Sequence, residues 1–229
     1  MTKLNKINIF VILFILLASY TFADKKIKIY SKLKCCPCKS DFADCNCDSA
    51  KEMKAYIDAL LEVDLDKDQI LKKVAKKYSL DAIIDEKAKK EIENKLIEEA
   101  GPNRPQIYIH PLSYNLGKVS KTKGTLELVV EVHNKSKATL TISDLKTFCA
   151  CTTVRLKTKD NKSSVFGVEG ATSGWEANLA GGEKGELVIV TDLNHPHVQV
   201  GHMLRRVEIK SNDPIYSIVS VDFEADIVE

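Results

Sequence analysis

Five of the chain's seven cysteines, Cys35, Cys36, Cys38, Cys45 and Cys47, share one short segment. Thiols this close cycle between dithiol and disulfide, staple a loop, or hold a soft metal ion. Cys35 and Cys38 are the candidate catalytic pair. Two intervening residues, one of them Pro37, bring the sulfurs to bonding distance with little chain entropy lost, while one thiol stays open to attack. The thiolate is the reactive form, and an ordinary thiol with a pKa of about 8.5 is mostly protonated at neutral pH, so the flanking Lys34 and Lys39 would favour reactivity. Cys36 could compete with Cys35 for the same partner. The metal alternative uses Cys35, Cys38, Cys45 and Cys47. Zinc or copper(I) would suit these ligands, and an extended Cys45-x-Cys47 would point two sulfurs the same way. The loop between the pairs is tight for a zinc ribbon. Two structural disulfides are the third reading, and the redox reading requires no cofactor.

A further C-x-C, far from the first cluster, occurs at Cys149-Ala150-Cys151. On an extended strand the two residues face the same side, with α-carbons about twice the 3.3 Å rise apart, near the upper limit for bridging. That spacing disfavours an internal disulfide. It leaves paired metal ligation, buried thiols without a role, or a disulfide to the odd cysteine of the first cluster. His195-Pro196-His197 and His202 form the densest histidine group, read as an exposed turn in preference to a metal site. No phosphate-cradling glycine loop, GxSxG or HExxH occurs. Lys39 follows Cys38, so the CxxCH haem attachment motif is absent and the chain is not itself a c-type cytochrome.

The first residues set the compartment. Lys3 and Lys6 precede an apolar run from Ile7 to Leu17 broken only by Asn8, and Ser19, Tyr20 and Thr21 lead to Ala23. Residues 1–23 read as a secretory signal cut near Ala23. The run is shorter than the roughly 20 residues of a bilayer-spanning helix, and a retained membrane anchor is the alternative. The expected location is the periplasm or the outer face of the cytoplasmic membrane. Lys and Arg total 34 against 32 for Asp and Glu, a near-neutral balance that disfavours a nucleic-acid partner.

The expected fold is α+β in two domains: a small helical bundle with a Cys-rich loop over residues 24–100, then an all-β immunoglobulin-like sandwich over 106–229. Residues 101–105, Gly-Pro-Asn-Arg-Pro, form the linker. Ser49 and Glu52 fit a capping box before a helix carrying Met53, Tyr56, Ile57 and Leu60. Asp66 caps a second helix with Ile70, Leu71, Val74 and Tyr78, and the two should form an antiparallel hairpin. Asp81 caps a third, highly charged helix through Ile84, Ala88, Ile92 and Leu96, read as a semi-rigid arm. Seven strands are predicted at 106–109, 126–132, 138–142, 152–156, 186–190, 207–210 and 217–227. The glycine-bearing segment 157–182 is too long for an ordinary hairpin link and is read as a recognition loop, or as a carrier of Trp175 onto the sandwich core.

Two resemblances follow from these motifs. Leu33-Lys34-Cys35-x-x-Cys38, then Phe42-Ala43-Asp44-x-Asn46, then a helix pair ending in Lys77-Tyr78, resembles the periplasmic thiol domain of the CcmH/CycL/NrfF family over about residues 30–84. The family has glycine where Ser79 stands. The resemblance implies a part in cytochrome c maturation, as a reductant of apocytochrome thiols or a haem lyase subunit, with apocytochrome c or another envelope thiol protein as partner. Over residues 106–229, Leu116-Gly117-Lys118-Val119, Asn134-Lys135-Ser136, Cys149-Ala150-Cys151-Thr152-Thr153, Gly182-Glu183-Lys184-Gly185 and Ser211-Asn212-Asp213-Pro214 occur in an order similar to a bacterial immunoglobulin-like family of unknown function, related to the HYDIN and ASPM modules. This implies a fold and almost no function.

Overall fold

The computed structural model describes residues 23–35, 41–63 and 65–229. All of the expected signal except Ala23 lies outside the described residues, as do Cys36 and Cys38. No helix among the described residues is long and apolar enough to cross a membrane. The chain divides into two compact units, 1–96 and 97–229.

In the first unit, helix α1 covers residues 23–30, followed by α2 (Asp48–Glu62), α3 (Lys67–Tyr78) and α4 (Glu86–Ala100). Ile29, Leu33, Phe42, Ile57, Leu71, Leu80, Ile83 and Ile92 are fully buried, and each such side chain stabilises the fold by about 1.5 to 3 kcal/mol relative to exposure. Asp66 caps α3, as expected, and Gln69 completes a capping box with it. Glu52, in the first turns of α2, meets Tyr78 and Lys77 at the end of α3, the contact an antiparallel hairpin requires.

Two expected helix starts move. The N-cap of α2 is Cys47, whose sulfur accepts the Ala50 N–H, because Ser49 already lies within the first turn and Glu52 is drawn away to α3. The third helix begins at Glu86, with the Asp85 carboxylate accepting the Ala88 N–H, since residues 80–82 form a 3-10 turn and Ile83 bridges to Leu33. Nor is α4 a projecting arm: Ala88, Ile92 and Leu96 are buried, and Lys95 pairs with Asp68 of α3 at 2.7 Å. Ser79 has φ 131°, a backbone region that glycine enters at least cost.

The second unit is a sandwich of nine strands: β1 (Ile107–Tyr108), β2 (Ser113–Ser120), β3 (Thr125–Asn134), β4 (Leu140–Thr147), β5 (Thr152–Lys157), β6 (Ala177–Leu179), β7 (Lys184–Asp192), β8 (Gly201–Ser211) and β9 (Ile218–Val228). One sheet has the order β1-β3-β7-β5 and the other β2-β9-β8-β4-β6. Alternation decides the inner faces. In β3, Leu128, Val130 and Val132 point inward while Val129 is exposed, and in β9 Val221, Phe223, Ala225 and Ile227 do the same. Strands β2 and β6 escaped the sequence reading. β2 pairs parallel with β9 through an irregularity between Asn115 and Lys118, where Gly117 takes φ 64°, so its alternation is interrupted. β6 is only three residues long. The 157–182 segment is tethered by bridges Val154 to Phe166 and Lys157 to Lys162. Trp175 packs edge-on against Phe166 at 4.8 Å, the core-capping role expected of it.

Two buried polar side chains fasten the sandwich. Asp213 accepts the N–H groups of Ile107, Ile215 and Tyr216, tying β1 to the β8–β9 connection. Asn134 donates to the carbonyls of Ala138, Leu179 and Ala180 and accepts from Ser136. Gly181 closes this corner, since a Cβ there would stand 2.8 Å from the Lys137 carbonyl oxygen.

Candidate functional site

The Cys-rich loop is held from both ends. Lys34 N–H donates to Ala82 O and Ile84 N–H to Lys32 O, both at 2.9 Å, so a short antiparallel bridge delivers the chain directly to Cys35. Lys34 also bridges to Asp41, which closes the loop at its base. Beyond it, Asp41 Oδ1 accepts the Ala43 N–H and Asp41 O the Cys45 N–H. Phe42 sits fully buried against Tyr30, ring to ring at 5.0 Å. Burial, and next the neighbouring Asp58 carboxylate, push the Tyr30 phenol above its usual value. Lys54 of α2 donates to the carbonyls of Ala43 and Cys45, each at 2.8 Å, clamping the segment onto the helix.

These constraints gather three sulfurs from two stretches of chain. The ligand atoms of Cys35, Cys45 and Cys47 all lie within 4.8 Å of one another. Cys47 Sγ stands 3.3 Å from Cys35 Sγ and 3.5 Å from Cys45 Sγ, both longer than the roughly 2.05 Å of a disulfide. Cys35 is 1 % exposed and Cys45 9 %, whereas Cys47 is half-buried. Cys35 is thus enclosed, and Cys38, its expected partner, lies outside the described residues. Cys45-x-Cys47 does turn two sulfurs to one side, but through the helix cap and not through an extended strand. Lys54 and Asp41, which set this geometry, carried no recognisable sequence signal.

The Cys149-x-Cys151 pair corrects an expectation. Cys149 and Cys151 form a disulfide, with α-carbons 5.2 Å apart. The extended-strand premise fails because residues 148–151 make the bend and turn between β4 and β5, which shortens the separation into the ordinary bridging range. Neither metal ligation nor a link to the first cluster applies to this bonded pair. Cys151 is 2 % exposed, Cys149 half-buried. Arg205 of β8 donates from Nε to Cys151 Sγ at 3.1 Å, and His197 Nδ1 lies 3.9 Å from Cys149 Sγ. The His195 and His197 rings meet edge to face at 4.8 Å in the expected turn, while His202 sits apart on β8 beside Asp226 and Glu224.

The second unit is thus an immunoglobulin-like β-sandwich of two packed sheets. Residues 107–165 match a family model described as protein of unknown function, DUF1573, a stretch running from β1 through β5 into the loop beyond. Among solved structures, a protein of unknown function from Porphyromonas gingivalis W83 is similar at 15% identity and TM-score 0.41, over 56% of this chain and 50% of that one. The PapD-like domain 7 of human CEP192 is similar at 16% identity and TM-score 0.37, over 56% and 89%. The periplasmic chaperone SfaE follows at 9% identity and TM-score 0.33, over 54% and 58%. The chain spans about half the length of the Porphyromonas protein. No curated protein matches it.

Proposed function

We propose that the helical unit is a thiolate site for a soft metal ion, zinc or copper(I), with Cys35, Cys45 and Cys47 as ligands and Cys38 as the fourth donor offered by the sequence. The observation that carries this is the convergence of three sulfurs at separations of 3.3 and 3.5 Å. Two thiolates on one tetrahedral zinc with bonds of about 2.3 Å stand about 3.8 Å apart, much nearer to these separations than a disulfide does. Burial of Cys35 supports a held ion over an exposed nucleophile. The Ala50 N–H on Cys47 Sγ is the kind of outer contact that orients a ligand.

Zinc titration of the full chain against a competing chelator tests it. One equivalent should bind tightly, and Cys47→Ser should weaken binding by about 100-fold, because a hydroxyl that still caps α2 replaces the soft thiolate ligand. Equal affinity in the variant and the parent would defeat the proposal.

The second reading is thiol-disulfide exchange in cytochrome c maturation, at the periplasmic face to which the N-terminal segment would deliver the chain. It draws on the motif series from Leu33 to Tyr78 and on one contact pattern: Cys47 touches both Cys35 and Cys45, so it stands where a bond could pass between them. Under this reading Cys35→Ser with Cys38→Ser abolishes reduction of a CxxCH peptide disulfide, and the sandwich positions the thiol unit or binds an envelope partner.

A further inference from the structure

We propose that the Cys149–Cys151 disulfide is an exchangeable redox centre of the sandwich, reduced by a dithiol polypeptide, and that Arg205 holds the Cys151 sulfur as a thiolate in the reduced form. This inference is independent of the metal reading of the first unit.

Three observations carry it. The first is an unmatched cation. Arg205 is half-buried, and no carboxylate pairs with it among the described residues; its acceptors are Leu204 O at 2.8 Å, His197 O at 3.0 Å and Cys151 Sγ at 3.1 Å. Burial pushes its guanidinium down from the usual arginine value. A neutral disulfide sulfur is a poor counterpart for such a group, whereas a thiolate in the same place makes a charge-assisted hydrogen bond. Reduction creates the missing anion.

The second observation is the asymmetry of burial, which fixes the direction of attack. Cys149 is the reachable sulfur and Cys151 the enclosed one. An incoming thiolate bonds to Cys149 Sγ, the Cys149–Cys151 bond breaks, and the electron pair leaves on Cys151 Sγ, where Arg205 Nε–H and the Thr152 hydroxyl, 3.4 Å away, receive it. The partner's second thiol, losing its proton, then attacks the mixed disulfide and releases Cys149, beside which His197 stands. Partner dithiol plus protein disulfide becomes partner disulfide, Cys149 thiol, Cys151 thiolate and one proton. Two electrons pass to the sandwich. The Cys151 N–H also donates to Cys149 Sγ at 3.3 Å.

The third is what the bond does not do. A bridge with one residue between its ends closes a very short loop, and loop closure is where a structural disulfide acts. As a staple it contributes least; as an exchange centre its compactness is no handicap.

The test uses the full chain in glutathione buffers, followed by acid quench, alkylation and mass spectrometry of the tryptic peptide 147–155, which holds both cysteines and no others. The parent should reduce reversibly at this peptide while folded. Alkylation of Cys151 should titrate with a midpoint below the ordinary thiol value of about 8.5. Arg205→Gln should shift the exchange equilibrium about tenfold toward the disulfide and raise that midpoint, and Arg205→Lys should restore most of both. A pair that stays oxidised in 10 mM dithiothreitol until the protein unfolds would overturn the proposal. So would an ordinary midpoint in the parent, a measurement that stands even where Arg205→Gln fails to fold.

Discussion

Among the described residues the same three-residue pattern stands twice, at Cys45-x-Cys47 and Cys149-x-Cys151, with opposite outcomes. In the helical unit the two sulfurs are 3.5 Å apart and unbonded to one another, with Cys47 spent as the N-cap of α2 and a third sulfur, Cys35, brought up from a separate segment. In the sandwich the pair occupies a turn, and its sulfurs bond to each other. Spacing in the sequence is identical; the backbone between the cysteines decides. A helix start faces sulfur with N–H donors and leaves it open to other ligands, whereas a turn folds the α-carbons close enough to bridge.

Substitutions can break this contrast, and the largest effect is expected where one side chain serves several donors. Asp213→Ala strands the N–H groups of Ile107, Ile215 and Tyr216 and should cost the sandwich about 4 kcal/mol in urea unfolding. The helical unit should retain its transition if the units are independent. Leu71→Ala empties a fully buried site and should cost the helical unit about 3 kcal/mol. It should scatter the sulfur cluster while peptide mapping still finds Cys149 bonded to Cys151. The double change Cys149→Ala with Cys151→Ala should lower the sandwich's stability by only about 1.5 kcal/mol, the loop-closure value for so short a ring. A loss of 4 kcal/mol would mark the bond as a staple.

The units should also answer acid in opposite senses. Burial is the main cause that raises the Glu208 carboxyl of β8 above its usual value. The folded sandwich therefore carries a cost that is full above the raised value and is relieved as pH falls through it. In the helical unit Lys95 holds Asp68 below its usual value. That stabilisation is present above the unfolded carboxyl value and is lost as pH falls through the folded one. Because Lys95 is exposed to solvent, Lys95→Ala should leave stability at neutral pH nearly unchanged and flatten the helical unit's response to acid. Urea unfolding of each unit between pH 3 and 7, with Glu208→Gln flattening the sandwich's response, checks both signs.

Much of the scaffold was legible in the sequence because its signals are local. Asp66 announces the start of α3, the apolar spacing of Ile70, Leu71 and Val74 its buried face, and the alternation in 126–132 strand β3. What was hidden depends on distant partners. Cys47 displaces Ser49 as the cap of α2 because Lys54 and Asp41 pin the preceding loop. β2 is a strand because β9 pairs with it across a bulge that breaks its alternation. The cysteines were visible as chemistry, but no spacing rule could show that Arg205, far along the chain on β8, would come to rest on Cys151.

Intact native mass spectrometry of the full chain purified without chelator, paired with peptide mapping under alkylation, tests the central contrast most directly. The account predicts one bound zinc or copper(I) ion, released on acidification, with Cys35, Cys45 and Cys47 then alkylated and Cys149 still joined to Cys151. A metal-free chain whose Cys35, Cys45 and Cys47 are locked in disulfides would contradict it.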